Sequence, residues 1–537
     1  MEIGKDKQGG EPGRGSDFML SDIHSNIYVF TAILLMIVFP LSVLFGIAQS
    51  EQPQWSTFKG DSSRDGLMDD FVNENPGQLK WRIRLGGEIH SSAAVDGEGR
   101  VIVGSTDNTL YCISNEGDIV WEYVTGGGIL SSPSVDGEGD IYFGAGDGYL
   151  YSLDGDGNRL WRFMTGSPIN RSSPLLDDQG NIYIGASNGI LYSIRSDGRL
   201  RWMRSTGGMI ESSPALDRQG NIYFGSWDGT LYSLGPYNVE RWTYSAEAPI
   251  ASTPAIDTGG NVYFTSSDGY LYCLNEEGSL KWRYEIGNTL LSSPSLDTEG
   301  NVLVGGHDGY LYSIENNGDL NWRFQTGMGI DSSAIVTRDG DVYIGSYDNH
   351  TYKLNQAGDM VWSFEGSGRF SATPAVGGDG TVYIGCSDGN LYAIGQPPPN
   401  PPRDLVVNSG DGELFLSWRE PLVREDDPPL IGYRIYRSRD AYSGDLIEEV
   451  TSDTLNYTDR SVQNGIPFYY YVTAINEMGE GGKSNTASNI PRDPRENIDS
   501  GDGGSDSVLI WFFFVLIVLL ILTILYFVTD RMIKKRG

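Results

Sequence analysis

A tryptophan recurs at a fixed interval through the middle of the chain, at Trp81, Trp121, Trp161, Trp202, Trp242, Trp282, Trp322 and Trp362. The interval is 40 residues, with one inserted residue between Trp161 and Trp202. Within each interval lie short β-forming runs and turn signals. The unit from Ile129 to Gly166 holds a small apolar strand (Ile129–Val135), an alternating strand (Asp140–Ala145), a Leu150-Tyr151 strand and the tryptophan strand (Leu160–Met164). Alternation, β-branched and aromatic enrichment and frequent turns mark these as strands. Four strands repeated at this period predict a β-propeller.

Between the second and third strands stands a turn pair: Asp107-Asn108, Asp147-Gly148, Asn188-Gly189, Asp228-Gly229, Asp268-Gly269, Asp308-Gly309, Asp348-Asn349 and Asp388-Gly389. A two-residue type I′ turn with φ > 0 at both positions is expected at each. Inner three-strand sets begin near residues 89, 129, 169, 210, 250, 290, 330 and 370, so the ring has eight blades. Tryptophan strands follow only the first seven sets. The outer strand of the eighth blade must then be Leu79–Leu85, from the start of the ring, which leaves only short, protected edges.

The repeated residues are expected to pack rather than to react. The eight tryptophans lie between neighbouring blades, and Tyr111, Tyr151, Tyr192, Tyr232, Tyr272, Tyr312, Tyr352 and Tyr392 fill the core. Asp96, Asp136, Asp177, Asp217, Asp257 and Asp297 end their strands before Gly-containing turns, and their repetition is turn chemistry, not a metal ring. One position varies amid the uniformity. Just before the Ser-Ser pair of each inner strand stand His90, Leu130, Arg171, Glu211, Ala251, Leu291, Asp331 and Ser371. They are expected to ring one mouth of the central channel on the face of the Asp-Gly hairpins. His90, Arg171, Glu211 and Asp331 are the candidate binding residues. The alternative is that Arg171 and Glu211, from adjacent blades, simply pair at the surface.

The 537-residue chain has room for several domains and is bracketed by apolar segments. Residues 508–529 are long enough to span a bilayer as a helix, and the basic tail 530–537, with Arg531, Lys534, Lys535 and Arg536, is expected in the cytoplasm. Residues 27–48, after a cytoplasmic segment 1–26, read as either a cleaved signal peptide or an uncleaved signal-anchor helix. Both place the region between them outside the cytoplasm. The net charge of −33 argues against nucleic acid as a partner. Cys112, Cys273 and Cys386 are too few for a disulfide scaffold and read as buried thiols. Asn170, Asn349 and Asn456 begin N-x-S/T sequons. With only four histidines (His24, His90, His307, His350), general-base candidates are scarce, and no catalytic constellation or metal site emerges.

After residue 395 the period changes. A stiff Pro-rich linker, 396–402, leads to 403–492, where Leu414–Trp418, Ile431–Tyr436, Phe468–Asn476 and Gly479-Glu-Gly succeed one another. This stretch resembles a fibronectin type III domain, which implies a β-sandwich with Trp418 and one of Tyr469 or Tyr471 in its core. Residues 493–507 read as a flexible acidic tether. The fold class is therefore all-β: an eight-bladed propeller over 55–395 and a β-sandwich, with terminal transmembrane helices.

The propeller unit, with its Leu-Tyr pair, its glycine before most tryptophans and one tryptophan per blade, resembles the pyrroloquinoline-quinone-like repeat. Trp55-Ser-Thr-Phe-Lys-Gly-Asp-Ser-Ser-Arg-Asp-Gly66 resembles the lead-in that precedes such rings. One branch of that family implies a dehydrogenase holding the quinone and calcium, often over adjacent cysteines, and this chain has no such pair. The other is similar to the outer-membrane assembly lipoprotein, a compact eight-bladed scaffold, although no lipobox cysteine stands near residues 27–48. The reading is a membrane-anchored extracytoplasmic binding or scaffold protein with a protein partner, not an enzyme and without a cofactor. A quinone-dependent dehydrogenase and a surface polysaccharide-binding protein are the alternatives.

Overall fold

The computed structural model describes residues 58–493, apart from 61–63, 65, 69–74, 288–289, 425–426, 441–443 and 477. The segments 1–26, 27–48 (expected as a signal peptide or signal-anchor helix), 508–529 (expected as a transmembrane helix) and 530–537 lie outside the described residues. Among the described residues every regular element is a β-strand, and no helix is long and apolar enough to cross a membrane. The chain divides into two compact units at Pro397–Pro398.

The first unit is a β-propeller of eight blades, each an antiparallel sheet of four strands. Blade two is representative: Ser134–Val135, Ile141–Gly144, Tyr149–Leu153 and Arg159–Met164 run in order from the axis outward. The first three strands are almost wholly buried because neighbouring blades stack against both their faces. The outermost alternates exposed and half-buried residues. Burial on two faces explains the near-continuous Val/Ile/Leu/Tyr runs of the inner strands. Between blades one and two, Ile102, Leu110 and Cys112 pack on Val135, Ile141, Phe143 and Tyr151. All three cysteines are buried free thiols, and burial pushes each up to about 12.

Ring closure follows the strand count. Gln78–Arg84 pairs antiparallel with Asn390–Gly395 and becomes the outer strand of blade eight. Lys80 on the closing strand reaches Asp379 at 2.7 Å. The seam between blades eight and one buries Ile89, Val95 and Val103 against Ile384, Leu391 and Tyr392. In addition, Leu67–Met68 lies parallel to Val336–Thr337 and adds a fifth strand to blade seven, at its axial edge.

The hairpin turns differ from expectation. Positive φ occurs at the second residue of the pair, as at Gly148 (84°) and Asn108 (76°), but none of the paired aspartates has it. The Gly148 amide donates to the Ala145 carbonyl, and that of Ala145 to Tyr149. The loop is thus three residues long, a type I turn followed by a left-handed residue, and the aspartate is free to work as an acceptor. Asp147 Oδ1 takes the Tyr149 amide at 3.2 Å and Oδ2 the Tyr151 hydroxyl at 2.6 Å. The other set of aspartates serves its own turns in the same way: Asp136 accepts the amides of Glu138 and Asp140 and the Tyr142 hydroxyl.

The second unit is two antiparallel sheets on a shared core. Arg403–Ser409, Leu414–Arg419 and Asn456–Asp459 form one, and Asp445–Thr451, Gly432–Ser438, Phe468–Asn476, Gly479–Glu480 and Ala487–Asn489 the other. Trp418 is buried, as expected. The buried member of the tyrosine run is Tyr470, not Tyr469 or Tyr471. Phe468, Tyr470, Val472 and Ala474 share the inward face, and the period of two leaves 469 and 471 outside. The Tyr470 hydroxyl donates to buried Asp459 at 2.7 Å, and Arg437 pairs with the same carboxylate.

Candidate functional site: the axial channel

The pair of small residues just before each inner strand, Ser-Ser in six blades, Ser252-Thr253 in blade five and Ala372-Thr373 in blade eight, builds the channel wall. The hydroxyl of its second residue points around the axis: the Ser92 amide donates to Ser132 Oγ at 3.0 Å, Ser132 to Ser173, Ser173 to Ser213, and so through Thr253, Ser293, Ser333 and Thr373. The Thr373 amide returns to Ser92 Oγ at 3.0 Å and completes a ring of eight hydrogen bonds. A small hydroxyl residue is required because a larger side chain would fill the axis, and an apolar one would orphan the neighbour's amide.

Above this ring lies a cavity of about 160 Å³. All eight variable residues, from His90 to Ser371, line it, as the repeat alignment places them. His90 is held at both nitrogens, by Ser371 Oγ at 2.9 Å and by Glu88 at 2.8 Å. The buried Asp331 carboxylate takes His307 Nε2 and the Tyr347 hydroxyl. Burial first, then Asp331, pushes the Tyr347 hydroxyl above its ordinary range, against the pull of Arg171 and Arg369. Arg369 stacks on the Tyr347 ring at 5.2 Å. Among the described residues no ion pair joins Arg171 to Glu211. Arg171 is exposed at the mouth, and the extra residue of the repeat falls beside it: Ile169-Asn170-Arg171-Ser172 replaces Ile129-Leu130-Ser131. Asn170 turns away to Ser187 Oγ at 3.1 Å.

Sequence reasoning missed Tyr347 and His307, which stand one residue before the hairpin aspartates, and it missed the use made of the lead-in. Phe58 enters the cavity lining, and Lys59 and Arg64 are fully buried. The Lys59 ammonium meets the Pro294 carbonyl of blade six. Arg64 donates to the Phe58 carbonyl and, at 2.7 Å, to that of Pro174 in blade three. Both residues have positive φ, 61° and 56°. The axis is thus occupied by the protein's own chain.

With the geometry in place, comparison with known proteins is decisive for the family. A family model described as outer membrane protein assembly factor BamB matches residues 70–276, 227–335 and 275–396, which together exceed half of the chain. This chain belongs to that family. Its fold is shared with BamB from Moraxella catarrhalis (TM-score 0.51, 18% identity, 59% of this chain and 99% of that one). A europium-containing methanol dehydrogenase has a TM-score of 0.54 at 13% identity, over 65% of this chain and 99% of that one. A computationally designed protein, Ika8, gives 0.52 at 15%, over 59% and 100%. At these identities the likeness is one of fold. Among curated proteins, the amylopullulanase of Thermoanaerobacterium thermosulfurigenes is 38% identical over 99 residues, 18% of this chain and 5% of the relative. That of Thermoanaerobacter thermohydrosulfuricus is 36% identical over 99 residues, 18% and 6%. This chain therefore spans only about one-twentieth of the length of those curated relatives.

Proposed function

We propose that this BamB-family chain is a membrane-anchored binding or scaffold protein that holds its propeller outside the cytoplasm as an interaction platform, without enzymatic activity. The observation that carries the reading is the axis filled by the chain's own lead-in and hydroxyl ring. What remains is a shallow mouth with varied side chains on a rigid ring, which suits surface recognition. A quinone with calcium does not fit these residues. The cavity of about 160 Å³ is below the ~300 Å³ at which ligand pockets begin. Asp331 is already engaged by His307 and Tyr347, and no group of three metal-ligating side chains occurs among the described residues.

The sandwich unit, in this reading, is a fibronectin type III spacer. The apolar run 508–529 followed by four basic residues supports an anchor with the C-terminus inside. Protease added to intact cells tests the arrangement. Cleavage is expected in the 493–507 tether, releasing a fragment that contains the propeller. A propeller that stays protected until the cells are lysed would refute the topology.

A further inference from the structure

The far face of the propeller, opposite the hairpins, carries a second feature. In seven of the eight blades the turn before the outer strand places a positive-φ glycine beneath the tryptophan of the preceding blade: Gly77, Gly117, Gly157, Gly198, Gly278, Gly318 and Gly358. A Cβ at Gly278 would stand 2.5 Å from the Trp242 ring. The indole then donates to a carbonyl of that turn, as Trp242 does to Glu276 at 2.8 Å and Trp161 to Ser196 at 2.7 Å. Blade four alone reads Gly235-Pro236-Tyr237-Asn238. Asn238 takes the glycine position with φ 63°, so its Cβ keeps the turn off the ring. Trp202 Nε1 and Asn238 Oδ1 are left buried without hydrogen-bond partners. Such costs are retained where a departure serves something other than packing.

Beside this turn lies a groove of about 1200 Å³ that runs from Leu67 near the axis to Pro236 and Tyr237 at the rim. Tyr237 is 79% exposed. One side of its ring faces the Arg201 guanidinium at 5.6 Å, and Arg201 is itself held by the Tyr183 hydroxyl at 3.0 Å. Arg195 and Arg218 line the groove, are exposed, and make no ion pair among the described residues. Of the four carboxylates that line the groove, Asp177 accepts from Tyr183 at 2.8 Å, Asp217 from Tyr223 and Asp257 from Tyr263, each at 2.9 Å, while Asp178 is exposed. Gln179 and Gln219 add exposed amides.

We propose that this groove binds an oligosaccharide bearing carboxylate groups, with one sugar ring stacked on Tyr237 and its carboxylates on Arg195 and Arg218. A propped aromatic face offers the flat apolar contact a pyranose presents, and guanidinium forks match carboxylates. Polar walls suit hydroxyls better than the apolar anchors of a peptide. The site lies on the face away from the channel mouth and stands independently of the scaffold reading. The test is calorimetric titration of the full chain in mild detergent with hexagalacturonate, and in parallel with maltohexaose and hexaglutamate. Saturable binding of hexagalacturonate is expected. Tyr237→Ala and the pair Arg195→Ala with Arg218→Ala each weaken it at least tenfold without lowering the melting midpoint. Replacing Pro236→Asn, Tyr237→Glu and Asn238→Gly together, the turn of blade one, raises the midpoint and abolishes binding. No saturable binding, indifference to Tyr237→Ala, or equal affinity for maltohexaose or hexaglutamate would overturn the proposal.

Discussion

The axial cavity is lined by the variable residue of every blade, with Tyr347 and Phe58, above a closed ring of hydroxyls. The groove on the far face draws on blades three to five and on the one outer turn that has Asn238 in place of the positive-φ glycine. At the axis every blade makes the same hydrogen bond, and the space left over is small. In the groove one blade forgoes a hydrogen bond that seven others make or accommodate, and the space is several times larger. In a repeat protein, residues present in every unit are bound by mutual packing. Chemistry for partners collects where a unit departs.

The largest expected effect would break the common part of that comparison. Deleting residues 75–84 removes the outer strand of blade eight and exposes its edge, so the propeller should lose cooperative unfolding, monitored by tryptophan emission in urea. Next come the tryptophans themselves. Trp282→Ala, which also loses the bond to the Asn316 carbonyl, should cost about 3 kcal/mol. Trp202→Ala should cost about 1 kcal/mol less, because its N–H has no partner to lose. Equal costs would refute the claim that the blade-four seam is the weaker one.

A third test concerns one carboxylate. In blades three to six an asparagine donates to the turn aspartate, as Asn221 does to Asp217 at 2.7 Å. Blade two has Asp140 there instead, and burial with the charges of Asp136, Glu138 and Asp154 raises it to about 6. A carboxyl group whose folded value lies above its unfolded value stabilises below the unfolded value and ceases to do so as the pH rises through about 6. Asp140→Asn should therefore stabilise the propeller by ~1 kcal/mol at pH 7.5, after allowance for partial exposure. The gain should vanish near pH 4. The smallest effect is expected at the mouth: Arg171→Ala, exposed and without an ion pair among the described residues, should change stability by less than ~0.5 kcal/mol.

The period of 40 residues carries the blade count, the closing strand and the channel-mouth position, because each follows from counting strands in identical units. Features that break or precede the repeat were harder to read. The hairpin loop is one residue longer than its Asp-Gly pair suggests, since the residue before it ranges from Gly146 to Trp227 and gives no turn signal of its own. In the sandwich, three consecutive tyrosines hide the register, and a slip of one exchanges inside for outside. The lead-in has no periodicity, so nothing in it reveals that Lys59 and Arg64 are buried at the axis. Asn238 becomes visible as a departure only once glycine is seen beneath the other tryptophans.

In the proposed function the axis is packed by the protein itself and leaves no room for a cofactor. Thermal unfolding of the full chain, with and without pyrroloquinoline quinone plus calcium, tests it most directly. An unchanged midpoint is predicted. Ligand at 100 times its dissociation constant would add about 2.7 kcal/mol to a protein that binds it, so a calcium-dependent rise of that size would contradict the account.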